Sequence, residues 1–282
     1  MSKAFSWKLF FILWGAATLG SVAILPYVFA LQGGLPAQGQ LPMPLWQVIT
    51  IQIATQVIMF GLATGIGLSF ANSVGLGAPI LEARLRGDRA SEPQASVAHS
   101  GSTGNRSAVG EKIRHVLPIS IVVGVVAGLL IIGLEVFVFA PAMRAQLGEA
   151  AAALFAARAK PAPWQGFLAS FYGGIDEEIL LRLCVMSFLV WVGRAVSKTA
   201  DGKPTSAVFW VANVLAAVLF GLGHLPVTST IVPLTPIVVA RAIVLNGLAG
   251  VGFGWLYWRR GLESAMVAHF SADIVLHVLF AI

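Results

Sequence analysis

The chain has 282 residues, of which 57% are hydrophobic and only 11% charged, and its formal net charge is +6 at pH 7. A mean hydropathy of +0.85 excludes an ordinary soluble globular domain. Because excess Lys and Arg is typical of the cytoplasmic loops of membrane proteins, the basic charge does not predict a nucleic-acid partner.

Seven apolar stretches recur along the chain, each near the length of about 20 residues that crosses a bilayer as a helix. We call them spans 1 to 7; their predicted bounds are 9–31, 45–79, 117–140, 164–192, 206–224, 237–258 and 262–282. They predict an all-α, polytopic transmembrane helical bundle that encloses a polar cavity. No long soluble segment separates the spans, so we expect one integral membrane domain over residues 1–282.

Two features in the first half of the chain do not fit a simple series of transmembrane helices joined by short loops. Span 2 is longer than one crossing needs, which predicts a tilt, a break near Gly75 and Gly77, or a continuation beyond the membrane. Residues 84–115 are rich in Ser, Gly, Ala and charges of both signs and have no hydrophobic period. This composition predicts a flexible cytoplasmic loop.

Single residues in three spans have structural interpretations. Glu135, near the end of span 3, is interpreted as an interfacial carboxylate. Cys184 in span 4 is the single cysteine, so it cannot form an intramolecular disulfide, and we expect a small core residue. Span 6 carries a cluster of glycines at spacings that let helix backbones approach closely. These glycines are Gly247, Gly250, Gly252 and Gly254.

The distribution of basic residues predicts the orientation. With a cytoplasmic N-terminus, 13 Lys and Arg fall on the inner side and 3 on the outer side, while Arg182 and Arg241 lie within spans. Because short cytoplasmic loops carry an excess of Lys and Arg, this bias favours an N-terminus inside and a C-terminus outside. We expect a multi-pass protein of the bacterial plasma membrane.

Span 4 contains the most unusual stretch of the chain, GGIDEEILLRL at residues 173–183. Three consecutive acids, Asp176, Glu177 and Glu178, precede Arg182 within an apolar run. A charged side chain at the bilayer centre costs about 2.5–3.5 kcal/mol on insertion scales. Four such groups in one span therefore indicate a functional site.

Helical spacing suggests different roles for these residues. Glu178 and Arg182 are four residues apart, so they share a face and are predicted to form an ion pair. Glu177 points roughly 100° away and cannot use the same short-range partner. A carboxylate without an adjacent cation takes up a proton more readily, which suits a general base near neutral pH. The spacing therefore nominates Glu177 as the base, whereas Asp176 has no assigned role.

Ionisable residues recur in later spans. His224 follows the core of span 5, and His269 and Asp273 share a face of span 7, on which His277 lies one turn further. Because three spans supply ionisable groups, we expect them to meet in a common site.

The ordered set Glu177-Glu178-x-x-x-Arg182, Phe220-x-x-x-His224 and His269-x-x-x-Asp273 resembles the motifs of the CAAX protease and bacteriocin-processing (CPBP, Abi-type) family. Members of that family are intramembrane glutamic endopeptidases. The resemblance covers residues 177–273 and implies a catalytic core at about 164–282. It also implies an enzyme that hydrolyses a peptide bond in a membrane-anchored peptide or protein within the lipid bilayer, without a cofactor.

The resemblance also implies roles for single residues. Glu177 would activate a water with help from His224, and His269 with Asp273 would form an oxyanion site. The family has Asn or Asp at the last position, and an ionised Asp would repel an oxyanion. We therefore hypothesise that Asp273 holds His269 oriented and protonated as the donor; otherwise Asp273 must itself be protonated.

The depth of His224 conflicts with a picture of straight helices. Glu177 falls near the middle of the membrane, whereas His224 falls at the outer end of span 5. Either span 5 starts later and is broken, with residues 225–236 partly embedded, or a predicted span boundary is wrong; the prolines of residues 225–236 favour a break.

Three alternatives stay open. His224, His269, Asp273 and His277 could bind zinc in a membrane metalloprotease, although the chain has no His-Glu-x-x-His motif. Intramembrane carboxylates and histidines also occur in proton-coupled transporters, and a non-enzymatic membrane protein is a third possibility. The natural substrate, its prenylation and the oligomeric state are left open.

Overall fold

The computed structural model describes residues 5–35, 43–90, 101–148, 160–230 and 232–280, without the side chains of residues 88–90 and 101–108. Within these residues the regular secondary structure is helical, apart from an isolated β-bridge between Lys198 and Pro204. The prediction of an all-α fold is confirmed.

Among the described residues, seven helical stretches are long and apolar enough to cross a membrane, which confirms an integral, multi-pass protein. They are Trp7–Leu31, Leu45–Val74, Val109–Leu147, Pro163–Val196, Ser206–Ser229, Pro236–Arg260 and Leu262–Leu279. We keep the names span 1 to span 7 for them. Large apolar side chains such as Leu19, Ile58 and Leu62 are exposed on the outside of the bundle, as a lipid-facing surface requires.

Most spans are built from more than one helical segment. The α-helices are α1 (Trp7–Ala23), α2 (Leu25–Leu31), α3 (Leu45–Val74), α4 (Pro79–Ala90), α5 (Gly101–Leu134), α6 (Ala140–Leu147), α7 (Pro163–Phe171), α8 (Ser187–Val196), α9 (Ser206–Gly223), α10 (Leu225–Ser229), α11 (Pro236–Arg260) and α12 (Leu262–Asp273). The π-helical segments are Glu135–Phe139, Tyr172–Glu177, Ile179–Met186 and Ile274–Leu279. Such segments are frequent at functional sites, and three of these four contain or adjoin predicted site residues.

Of the three alternatives for span 2, the break near Gly75 and Gly77 is present. Helix α3 ends at Val74, where Gly75 adopts a left-handed conformation with φ 81°, and Gly77 follows with φ 154°. Both values favour glycine, because other side chains rarely adopt them. The chain then turns into α4 at Pro79.

Helix α4 extends the protein beyond span 2 and is anchored to span 7. The Glu263 carboxylate accepts hydrogen bonds from the backbone N–H groups of Ile80 (2.9 Å) and Leu81 (2.8 Å). The N–H of Leu262 donates to the Gly77 carbonyl at 3.0 Å. The end of span 2 and the start of span 7 are therefore held together on one side of the bundle.

The stretch over residues 84–115, which the sequence predicts as a flexible cytoplasmic loop, is helical at both ends. Helix α4 continues to Ala90 and α5 begins at Gly101, while residues 91–100 lie outside the described part. A helix exposed to water can form without a periodic apolar face, so the helices extend past the ends of the spans. In α4, Arg86 pairs with Glu82 one turn away at 4.0 Å. The flexibility of this segment stays a prediction.

Two glycines of span 6 lie where span 5 packs against it. A Cβ atom built on Gly250 would lie 3.0 Å from the Ala217 Cβ, and one on Gly254 would overlap the side-chain amide of Asn213. Asn213 also donates to the Val251 carbonyl at 3.0 Å. The predicted close approach of helix backbones is thus confirmed at Gly250 and Gly254.

We expect Gly254→Ala to lower the stability of the bundle by about 1–3 kcal/mol, the usual cost of overpacking. The reason is the overlap of the new methyl group with Asn213. Gly247→Ala is the matched control, because its Cβ would meet the nearest neighbouring atom, the Ala217 carbonyl oxygen, only at 3.8 Å. Thermal unfolding of both variants in detergent measures the difference, and equal melting temperatures would contradict the packing argument.

Span 4 lies at the centre of the bundle. Its π-helical segment Tyr172–Glu177 packs between spans 1 and 7, and its segment Ile179–Met186 packs against spans 2 and 5. The acids predicted to be functional are therefore surrounded by other helices rather than by lipid.

Candidate active site

The three consecutive acids of span 4 differ in exposure. Asp176 and Glu178 are both 0% exposed, whereas the side chain of Glu177 is 20% exposed. Of the three acidic side chains, only that of Glu177 is therefore partly exposed.

The predicted ion pair between Glu178 and Arg182 is present and buried. Arg182 Nη1 lies 3.1 Å from Glu178 Oε1, and Nη2 donates to the Gly250 carbonyl at 3.0 Å. The guanidinium also lies over the rings of Phe220 and Phe253, at 5.2 and 5.6 Å from their centroids. Charge pairing, a hydrogen bond and cation–π contacts together offset the cost of burying this cation.

His269 connects the acids of span 4 to span 7. Its Nδ1 lies 2.8 Å from Glu178 Oε1, while its Nε2 lies 3.6 Å from Glu177 Oε2 and 3.7 Å from Asp273 Oδ1. The ring stacks on Phe253 with a centroid distance of 4.8 Å. Glu178 thus fixes the Nδ1 edge of the imidazole and Phe253 fixes one face of the ring. The Nε2 atom is directed towards Glu177 and Asp273.

Two sequence-based expectations change here. Helical spacing placed Glu177 and Glu178 in separate environments, but the two carboxylates approach opposite nitrogens of one imidazole. From the sequence, Asp273 is the residue expected to orient the His269 ring. In the structure, the short hydrogen bond to the ring is made with Glu178. The separation of 3.7 Å between Asp273 and Nε2 is too long for a hydrogen bond.

Asp273 also lies beside a second histidine. Its Oδ1 is 3.9 Å from His277 Nε2, and His277 Nδ1 is hydrogen-bonded to Tyr27 Oη at 3.1 Å. The Tyr27 and His277 rings meet edge-on at 5.3 Å. Span 1 therefore reaches this end of the site, a contribution that no sequence motif indicated.

His224 lies at a helix break, as predicted. Helix α9 ends at Gly223, and Pro226 stands in the first turn of α10. The edge-to-face contacts of the Phe220 ring join it to His224 at 4.9 Å and to His269 at 5.6 Å. Within the described residues no hydrogen bond or ion pair links His224 to the site carboxylates, so it lies one aromatic ring away from His269.

Asp176, which the sequence left without a role, is bonded to span 1. Ser21 Oγ donates to Asp176 Oδ1 at 2.7 Å, and Oδ2 is buried without a hydrogen-bond partner. A Cβ atom on Gly20 would collide with that second oxygen. The pair Gly20-Ser21, small and polar in an apolar span, is the only sequence signal of this contact.

Gly173 brings the site residues close together. A Cβ atom at this position would overlap the Asp273 carboxylate and lie 3.2 Å from His269 Nε2. Sequence reasoning noted the glycines before the acids but assigned them no part in the site. The absence of a side chain here allows spans 4 and 7 to approach.

The four candidate zinc ligands are not grouped around one point. Within the described residues, no three His, Cys, Asp or Glu side chains are arranged to hold a metal ion. His269 Nδ1 is engaged by Glu178, His277 Nδ1 by Tyr27, and His224 lies beyond Phe220.

Glu135 and Cys184, the two residues interpreted as structural, have the following partners in the described structure. Arg241 Nε lies 2.7 Å from Glu135 Oε2, so the carboxylate of span 3 is paired with the cation of span 6. Cys184 is partly buried against the hydrophobic core.

Comparison with known proteins supports the family resemblance. A family model described as type II CAAX prenyl endopeptidase Rce1-like matches residues 159–275. The match contains all six predicted catalytic residues and excludes span 1 and His277. No curated protein and no solved structure gave a significant match. Over residues 159–275 the chain is therefore similar to the Rce1-like type II CAAX prenyl endopeptidases, which form a peptidase family.

Proposed function

We propose that this peptidase hydrolyses its substrate inside the membrane with a glutamate as general base. The substrate would be a membrane-anchored peptide or protein. The observation that carries the proposal is the arrangement around His269, where Glu178 holds Nδ1 at 2.8 Å and the accessible Glu177 lies 3.6 Å from Nε2.

In the first step, the Glu177 carboxylate takes a proton from a water molecule. The water oxygen attacks the carbonyl carbon of the peptide bond, and the carbonyl oxygen becomes a tetrahedral oxyanion. Glu177 suits this role because its side chain is partly exposed and is not part of the buried Glu178–Arg182 ion pair.

In the second step, the C–N bond breaks. The proton held by Glu177 passes to the leaving nitrogen, so that the products are a carboxyl group and an amine. An N–H donor at His269 Nε2 would stabilise the preceding oxyanion, because Glu178 fixes the other nitrogen and thereby the direction of the ring. Arg182 balances the charge of Glu178.

Asp273 and His224 have supporting roles in this proposal. Asp273 stands beside the donor nitrogen at 3.7 Å and would keep His269 in its donating form. The assistance of His224 rests on the family resemblance and would act across Phe220, whose ring contacts both imidazoles.

A cleavage assay with the full-length protein tests the proposal. Purified protein in liposomes is incubated with membrane-anchored peptides, and mass spectrometry identifies the products. We expect defined fragments that differ from the substrate by one added water. A pH-sensitive dye inside the same liposomes tests the transporter alternative, and proton flux without cleavage would overturn the proposal.

Metal removal should leave cleavage unchanged, because a glutamate base requires no metal ion. Preincubation with EDTA or 1,10-phenanthroline, followed by the same assay, measures this. A thermolysin-type zinc peptidase serves as the positive control for chelation. Loss of activity that added zinc restores would favour the metalloprotease alternative instead.

We expect Gly173→Ala to lower the cleavage rate by about 100-fold, the effect of misplacing reacting groups by roughly 1 Å. The new methyl group would push Asp273 and His269 away from span 4. Gly15→Ala is the matched control, because a Cβ there has no neighbour within 4 Å. Equal rates for the two variants would contradict the described approach of spans 4 and 7.

A further inference from the structure

A second polar site lies at one end of the bundle, apart from the acids of span 4. A cavity of about 510 Å³ opens between the start of span 3 and the end of span 6. Helix α5 supplies Glu111, Lys112 and His115 to its lining, and α11 supplies Arg259 and Arg260. The volume is in the range of about 300–1,000 Å³ that is usual for ligand sites.

Two cations of this cavity are held in place by uncharged neighbours. The Arg259 guanidinium lies 4.0 Å from the centroid of the Trp258 ring, and Arg260 Nη1 donates to the His115 carbonyl at 3.2 Å. In the described parts of the chain, neither arginine nor Lys112 has a carboxylate within ion-pair distance. Among the described residues, the cavity thus presents three cations with no carboxylate at ion-pair distance, while Glu111, which also lines it, lies 4.0 Å from His115 Nε2.

The cavity lies where the protein leaves the membrane. The apolar part of span 3 begins immediately after His115, and that of span 6 ends at Trp258. On the outside of span 3, Leu117 and Ile121 are exposed one turn apart and continue the surface into the apolar region. The charge bias predicts that this side is cytoplasmic, the side on which anionic headgroups attract basic segments.

We propose that this cavity binds the phosphate of an anionic phospholipid headgroup, with an acyl chain along Leu117 and Ile121. Arginine and lysine are the usual partners of phosphate. The exposed leucine and isoleucine favour a lipid over a soluble phosphate, although the phosphate chemistry is the same for both. The site is separate from the proposed catalytic cluster, since His269 lies seven residues, or roughly 10 Å, beyond the start of α12.

Native mass spectrometry of the full-length protein in detergent tests the proposal without any requirement for catalysis. The probes are phosphatidylglycerol, phosphatidylcholine and inorganic phosphate. We expect one saturable phosphatidylglycerol site that phosphatidylcholine fills less well. Lys112→Ala/Arg259→Ala, which removes one cation from each wall, should weaken phosphatidylglycerol binding by about 30-fold. Both side chains are exposed, so the variant should fold.

The matched control is Arg84→Ala/Lys198→Ala, which removes two exposed cations outside the cavity lining. We expect its phosphatidylglycerol affinity to stay within about threefold of the wild type, as for surface charges remote from a site. Equal weakening in both double variants would overturn the proposal in favour of general surface charge. If millimolar inorganic phosphate displaced the lipid, the proposal of a bound lipid would be wrong, and the cavity would be a site for free phosphate.

Discussion

Replacement of Glu177 by Gln is expected to lower the cleavage rate by about 10²- to 10⁴-fold, the usual contribution of a general base. Glutamine keeps the size and shape of the side chain but cannot accept the proton of an attacking water. The fold should survive, because Glu177 is partly exposed and the buried pair is made by Glu178 and Arg182. The measurement compares initial cleavage rates in liposomes, together with the melting temperature of each purified protein.

The matched control for this variant is Glu135→Gln, which also removes one carboxylate from a membrane span. Glu135 is paired with Arg241 and does not touch the proposed catalytic cluster. We expect this control to retain cleavage. A Glu177→Gln protein that folds and cleaves at the wild-type rate would show that the base is another group.

The features that the sequence predicted well depend on short stretches of chain. The seven spans follow from the length of each apolar run, and the break after span 2 follows from Gly75 and Gly77, which favour left-handed backbone. The ion pair of Glu178 and Arg182 follows from their separation by one helical turn. In each case the physical cause lies within one span.

The features that escaped prediction depend on how the spans pack. Ser21 reaches Asp176 across 155 positions of the chain, and Tyr27 reaches His277 across 250. No local period or motif indicates the Tyr27 contact, and the small, polar pair Gly20-Ser21 gives only a weak signal of the other. The use of both glutamates by one imidazole is of the same kind, because it depends on where span 7 places His269 beside span 4.

The π-helical segments of span 4 escaped prediction for a different reason. Segments Tyr172–Glu177 and Ile179–Met186 are part of an apolar run in which neighbouring helices cover all sides. A buried run has no one-sided hydrophobic pattern. The sequence pattern therefore does not distinguish an α-helix from a π-helix here. The direction of Glu177 relative to Glu178 could therefore be predicted only for an ideal α-helix.

The second large effect is expected from Arg182→Met, which should destabilise the protein by about 3–5 kcal/mol, the cost of leaving one member of a buried pair without its partner. Glu178 would remain fully buried, with His269 as its nearest donor. The change would also remove the hydrogen bond to Gly250 and the contacts with Phe220 and Phe253. Thermal unfolding in detergent measures the loss.

The double variant Glu178→Gln/Arg182→Met distinguishes support of the fold from support of catalysis. Removing both charges together should recover much of the stability, because no buried ion is left without a partner. Cleavage should stay low, since a neutral amide accepts the His269 N–H less strongly than a carboxylate and holds the ring less firmly. If the double variant recovered stability and cleavage together, Glu178 would serve only to balance Arg182, and the orientation of His269 would need another source.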